Sequence, residues 1–275
     1  TITKVSSQIA IVIIRSVDSR TTNLPNLPMH IYLADQVSQQ LDLGYVHDHM
    51  GSCLLGATAP DIRAMAKWDR QRTHFAPLSV DSVGTGTKEM FSRYPRLADS
   101  KSLTPETRAF ILGYVCHLAA DELWITTMFR PHFDEGSPGI DNKLEGHIWD
   151  RALQLDMDRS VIEEDFFELE PEMLLNGSEN AVLVEFLEDE LLSEWRNWVL
   201  RFLGWDFSWE RLKRALNRMH RDDEGVQLVV DSFLSNMPES LEKIYQFVPR
   251  SMIESYKERV VVETLSQIRE YLSET

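Results

Sequence analysis

The run CHLAAD places His117 and Asp121 four residues apart. On a helix that spacing stacks two side chains on one face, about 5–6 Å apart at Cβ. An imidazole nitrogen and a carboxylate oxygen so placed can chelate a divalent cation. The same pair is compatible with a histidine bonded to a core carbonyl and an aspartate paired with an arginine. Gly113 lies one turn before His117, in GYVCHLAAD. Its missing side chain lets another backbone or a ligand approach, at a helix cost of about 1 kcal/mol relative to alanine. Three further donors stand elsewhere: His30 in PMHIYLADQ, Asp61 at the end of GATAPD, and His74 in THF. Histidine nitrogens and carboxylate oxygens suit zinc or a similar divalent ion. Taken singly, each has an ordinary alternative. His30 could pack against Tyr32 at a helix start, Asp61 could cap the helix that IRAMAKW begins, and His74 could be a surface residue beside Arg72.

The elements that must position these residues read as helices. HIYLADQVSQQL, TPETRAFILGYVCHLAADELWITTMF and ENAVLVEFLEDELLSEWRNWVLRFL repeat apolar residues every three and four positions, and hardly any stretch alternates with period two. Thr104 before Pro105, Ser208 before WERLKRAL and Ser240 before LEKIYQF are expected N-caps. The fold class is therefore all-α. SVDSVGTGTKE, DEGSPGIDN and NGSEN are expected connections between helices. Residues 1 to 28 read as an arm: the apolar run QIAIVIIRSV falls short of the roughly 20 residues that span a bilayer, and it lacks the marks of a signal peptide. Residues 29 to 160 hold seven of the eight histidines and form the expected metal-binding core. Residues 161 to 275 are expected to be helical scaffold or partner surface, packed on the same domain.

Composition narrows the function. The 275 residues carry 44 acidic against 28 basic side chains, a formal charge of −16. Such a surface repels nucleic acid backbones and anionic headgroups, so a phosphate-bearing substrate needs a locally positive site. Cys53 and Cys116 build no disulfide framework, which fits the cytoplasm. Ser52 and Cys53 lack the strand, sharp turn and helix of a nucleophile elbow. GTGT at residues 84 to 87 reads as a flexible loop without a phosphate-loop lysine, and the tryptophans at 195, 198, 205 and 209 as a packed helix junction.

The order His30, Asp61, His74, His117 and Asp121, in the words PMHIYLADQ, LGATAPDIR, THF and GYVCHLAADELW, resembles the zinc-dependent phospholipase C family, relatives of the P1-type zinc nucleases. The resemblance covers roughly residues 25 to 125. It implies a single multi-helical domain in which Asp61, His74, His117 and Asp121 hold one zinc while His30 and a shared Asp121 hold a second. It also makes Asp61 the group that orients or deprotonates the attacking water. Two departures stand out. The family's second zinc is completed by the amino terminus of a tryptophan, and no tryptophan precedes His30. A further family zinc uses a histidine soon after the HxxxD pair and then an HxxxE pair. Here Thr126 and Thr127 occupy the first region, and EGHIWDRAL supplies only His147 and Asp150, with Glu145 nearby. A degenerate third site is weighed against a helix whose Asp150 faces solvent and whose Trp149 packs, and the second reading is preferred. His132, in a loop, has no better claim.

The function implied is hydrolysis of phosphoric esters by metal-activated water, on a small phosphoester or a phospholipid headgroup, without stable membrane insertion. Two alternatives compete. One is a helical scaffold whose metal site has decayed. The other takes His47 and Asp48 in GYVHDHMGS as the pair of an HD-domain phosphohydrolase, although Gly44 and Gly51 bracket that pair as an expected loop.

Overall fold

A computed structural model describes residues 27–41, 43–163, 170–219 and 224–271. The calls on the N-terminal apolar run and its linker lie outside these residues. Among the described residues there are helices and turns and no strand, so the chain is all-α. The main helices are α1 (Leu27–Gln40), α2 (Gly44–Asp48), α3 (Met50–Thr58), α4 (Thr85–Arg93), α5 (Pro105–Leu123), α6 (Lys143–Glu163), α7 (Asp189–Leu203), α8 (Glu210–Met219), α9 (Glu224–Ser235), α10 (Glu239–Phe247) and α11 (Arg250–Tyr271). Helix α1 already includes Leu27 and Pro28, the last two residues of the segment read as an arm.

Helix α5 is the axis of the fold. It is apolar on all sides, and every residue from Ala109 to Leu123 is buried, as expected of a helix with neighbours all round. Thr104 caps it, accepting the Thr107 N–H at 3.1 Å, and Pro105 occupies the first turn. The helix runs on through a π-helical stretch, Trp124–Phe129. Pro105–His132 is long and apolar enough to cross a bilayer, but its most apolar window is 94% buried within the protein. It packs on α3, α1, α4 and α11.

The approach of α3 to α5 is unusually close. A Cβ on Gly113 would lie 1.9 Å from the Cys53 carbonyl oxygen, and one on Gly56 would lie 2.0 Å from that of Phe110. Only glycine lets the two backbones meet at these points. A continuous apolar core extends from Leu27 to Ile268, and Trp195 of α7 joins it by donating Nε1–H to Thr58 of α3 at 3.0 Å. The tryptophan segment does pack: Trp195, Trp198 and Phe202 stack in sequence.

Four local expectations change. GYVHDHMGS is not a loop but the whole of α2 and the start of α3, because Gly51 serves a close approach of α3 to the Leu174 carbonyl rather than a chain break. GTGT is not a flexible loop. Gly84, at φ +91°, leads into α4, whose first N–H groups are held by Glu122. Ser240 lies within the first turn of α10, which starts at Glu239, whereas Ser208 does accept the Glu210 N–H, at 3.2 Å. His132 lies on the single helical turn Arg130–His132 rather than in a loop.

Candidate metal centre

The five ligand-type residues converge. His30 comes from the first turn of α1, His117 and Asp121 from α5, Asp61 from the 3-10 turn Ala59–Ile62 after α3, and His74 from the end of the turn Arg70–Thr73. Donor atoms of His30, Asp61 and His117 lie within 4.8 Å of one another, as do those of His74, His117 and Asp121. His30, His74, His117 and Asp121 are essentially solvent-free, whereas the Asp61 side chain is 26% exposed and marks the solvent edge.

Asp121 is at the middle. Its Oδ1 lies 3.5 Å from His30 Nε2, and its Oδ2 lies 3.1 Å from His74 Nε2 and 3.5 Å from His117 Nε2. Arg70 Nη2 donates to the same Oδ2 at 3.0 Å. Asp61 Oδ1 stands 3.7 Å from His74 Nε2. The His30 and His117 rings stack with centroids 3.8 Å apart.

Both ordinary alternatives for the HxxxD pair are therefore realised, yet neither uses up the ligand atoms. His117 Nδ1 is 2.7 Å from the Ala57 carbonyl oxygen, so in the neutral ring it donates there and leaves Nε2 with a lone pair. That nitrogen faces His74 Nε2 at 3.3 Å. Thr73 Oγ1 is 3.1 Å from His74 Nδ1. His30 is not a helix-end residue packed passively, since both its ring nitrogens and Asp121 Oδ1 are buried without a hydrogen-bond partner. His74 is buried rather than on the surface, and Asp61 caps no helix.

Electrostatics favour the ligand forms of His30, His74 and Asp121. Burial, together with His117, holds His30 below the ordinary imidazole range despite Asp121. Burial and Arg70 hold His74 well below it. Burial alone would lower His117 too, but Asp121, Asp61 and the Ala57 carbonyl outweigh it and raise that ring. For Asp121, burial favours the neutral acid, yet His117 and Arg70 outweigh it and keep the carboxyl well below its usual value. Orphaned nitrogens turned toward an ionised carboxylate are expensive in a protein alone. They form the nitrogen and oxygen set that zinc takes, so the residues present fit that ion.

Helix α5 also sets the surroundings. Tyr114 donates its hydroxyl to the Thr73 carbonyl and pins the turn carrying Arg70 and His74. Glu122 accepts N–H groups of Gly84, Thr85 and Gly86 at 2.6, 3.1 and 2.6 Å. A Cβ on Gly86 would lie 2.4 Å from the His74 carbonyl oxygen, so α4 buttresses the His74 segment.

Other expected donors fall elsewhere. Asp150 is buried, not solvent-facing: its Oδ1 accepts Trp124 Nε1–H at 2.9 Å and Gln154 Nε2–H at 2.8 Å. Trp149 packs as expected, and the His147 ring lies against Phe129. Among the described residues, no cluster of three such donors includes His147 or Asp150. His47 and Asp48 are exposed and take no part in the centre, which removes the HD-type reading. The two cysteines are buried free thiols, Cys116 pushed up to about 12 by burial and Cys53 higher still.

Arg70 and Glu122 escaped the sequence reading. Arg70 precedes His74 by four residues in RQRTH, and Glu122 follows Asp121 directly, but neither spacing signals its partner.

An all-α scaffold that gathers three histidines and two aspartates from four segments defines a candidate metal-binding protein. The family described as zinc dependent phospholipase C matches residues 29–170, just over half of the chain, and the chain belongs to that family. No curated protein and no solved structure matches it.

Proposed function

We propose that the protein hydrolyses phosphoric esters at a zinc centre built from His30, Asp61, His74, His117 and Asp121. The observation that carries this reading is the division of Asp121: Oδ1 faces His30 and Oδ2 faces His74 and His117. A carboxylate can serve two ions in that way, whereas the Nε2 of His117 can serve one. Two zinc ions per chain would be held, one by His74 and His117 and the other by His30, with Asp61 and Asp121 completing the set. When bound, zinc supplies positive charge that acidifies water and neutralises the charge developing on a phosphoryl group.

The remaining steps belong to the chain. Ala57 holds the proton of His117 at Nδ1, and Arg70 holds Asp121 ionised. Asp61, at the solvent edge, accepts at its carboxylate the proton of the attacking water. The substrate is a small phosphoester or a phospholipid headgroup. The overall charge of −16 disfavours nucleic acid, and two buried free thiols support a cytoplasmic setting.

The test is hydrolysis of p-nitrophenyl phosphate and bis(p-nitrophenyl) phosphate by wild type and His117→Ala, with circular dichroism on both. Zinc-dependent turnover lost in a folded variant is the expected result. Equal turnover by the two proteins contradicts the reading.

A further inference from the structure

His74 ends the turn Arg70–Thr73, and the chain changes direction directly after it: Phe75 stands at φ +57°, in the left-handed region. The position after a helical turn that takes this conformation is ordinarily held by glycine, because a Cβ there crowds the backbone. A phenylalanine keeps it only where its surroundings impose it, and strain of this kind gathers at functional sites. Three rings impose it here. The Phe75 side chain is buried, with its ring centroid 5.3 Å from that of Phe186, 6.1 Å from that of Tyr94 and 6.3 Å from that of Tyr114, all within the range of favourable ring pairs. Phe186 in turn meets Tyr94 at 5.1 Å and Tyr114 at 5.4 Å, so the four rings close on one another.

Tyr114 connects this group to the metal centre. It stands on α5 one turn before His117, its ring pairs with that of Phe75, and its hydroxyl donates to the Thr73 carbonyl. Residues 73 and 75 are thus both tied to the helix that carries His117 and Asp121, and His74 lies between them. On the other side, a Cβ on Gly86 would lie 2.4 Å from the His74 carbonyl oxygen, so the peptide after His74 has little room to swing. The imidazole held in this way has its Nε2 3.1 Å from Asp121 Oδ2 and 3.3 Å from His117 Nε2. Were Phe75 to relax to negative φ, the ring could not stay in its seat while His74 stayed in the centre.

We propose that Phe75 is a positioning residue: seated among the three rings, it holds the left-handed backbone that keeps His74 in the metal centre. This rests on the zinc reading of that centre and adds to it a device outside the ligand set.

Full-length wild type, Phe75→Ala, Phe75→Gly and the control Phe133→Ala, whose buried ring stacks on Trp124 instead, are titrated with zinc against a chromophoric chelator. Amide exchange at His74, whose N–H donates to the Arg70 carbonyl at 2.8 Å, is followed in the zinc-free proteins. Alanine and glycine both delete the ring, but only alanine keeps a Cβ at the strained position. The expected result is zinc affinity lowered about tenfold or more for one of the two ions in Phe75→Ala, with faster His74 exchange. Phe75→Gly should recover most of both losses, and Phe133→Ala should show neither. A ring that serves packing alone would make the alanine and glycine variants alike. Equal zinc affinity and equal exchange in those two variants therefore overturn the proposal, as does wild-type behaviour of Phe75→Ala in both measurements. Should Phe75→Ala not fold, Phe75→Leu, which also keeps a Cβ, takes its place in the comparison. A wild type that binds no zinc defeats the zinc reading instead. Exchange at His74 then decides alone: faster exchange in Phe75→Ala than in Phe75→Gly supports the clamp, and equal rates overturn it.

Discussion

His117 Nδ1 and the Ala57 carbonyl oxygen lie 2.7 Å apart, and this bond decides which nitrogen of His117 is left for a cation. It exists because α3 and α5 touch backbone to backbone at Gly113 and Gly56. In Gly113→Ala the new Cβ would meet the Cys53 carbonyl oxygen at 1.9 Å, so the helices must part. Overpacking of this kind costs about 1–3 kcal/mol or more, and loss of an outer hydrogen bond to a ligand histidine weakens metal binding about 10–100-fold. Competition with a chromophoric chelator should show that weakening. Wild-type zinc affinity in Gly113→Ala would remove Ala57 from the account.

Asp121→Asn leaves Arg70 buried with no counter-charge, since Asp121 is its ion-pair partner. Breaking a buried pair from one side costs about 3–5 kcal/mol. Urea unfolding of the zinc-free variant measures this, and a loss below about 1 kcal/mol would mean that the pair behaves like an exposed one.

Burial lifts the Asp150 carboxyl to about 6 from an ordinary 3.8, although Arg151, Trp124 and Gln154 pull it down. A raised folded value means that the native state binds the proton more tightly. The contribution of Asp150 to stability is complete below 3.8 and is lost as pH rises through 6. Asp150→Asn should therefore gain about 2–3 kcal/mol on wild type above that range, at about 1.4 kcal/mol per pKa unit, with zinc content unchanged. Were Asp150 and His147 to hold a third ion, the variant would instead lose metal and stability. Unfolding curves at pH 5 and pH 8 distinguish the two.

Glu122→Ala removes the acceptor of three backbone N–H groups at the start of α4. Unpaired donors cost about 1–3 kcal/mol each when they stay buried, so the start of α4 should open. Hydrogen exchange at Gly84, Thr85 and Gly86 is expected to accelerate strongly. Protection unchanged from wild type would show that Glu122 does not hold this segment.

The helical fold was legible because its signals are local. Apolar recurrence marked α1, α5 and, in its second half, α7, whereas residues 179–188 of the third run are turn and irregular chain; Thr104 with Pro105 marked the start of α5. Glycine misled in one direction: Gly51 and Gly84 to Gly86 suggested loops, yet Gly51 serves helix contact and Gly84 to Gly86 meet Glu122 across 36 to 38 residues. Gly113, read as a point of close approach, is one. The five converging donors were visible as residue types in an order, and HxxxD fixed the geometry of one pair. The roles of Arg70, Glu122 and Ala57 were not, because each depends on a contact between distant segments that no periodicity encodes. Asp150 illustrates the same limit, since a polar residue on a helix gives no sign that Trp124 will cover it.

The most direct measurement is zinc per chain, by elemental analysis, in full-length wild type and Asp121→Ala purified without added metal and again after incubation with zinc. The account expects two zinc ions in the wild type and their joint loss in the variant, because one carboxylate faces both halves of the centre. A wild type that holds no zinc under either condition, or a variant that keeps the wild-type content, contradicts it.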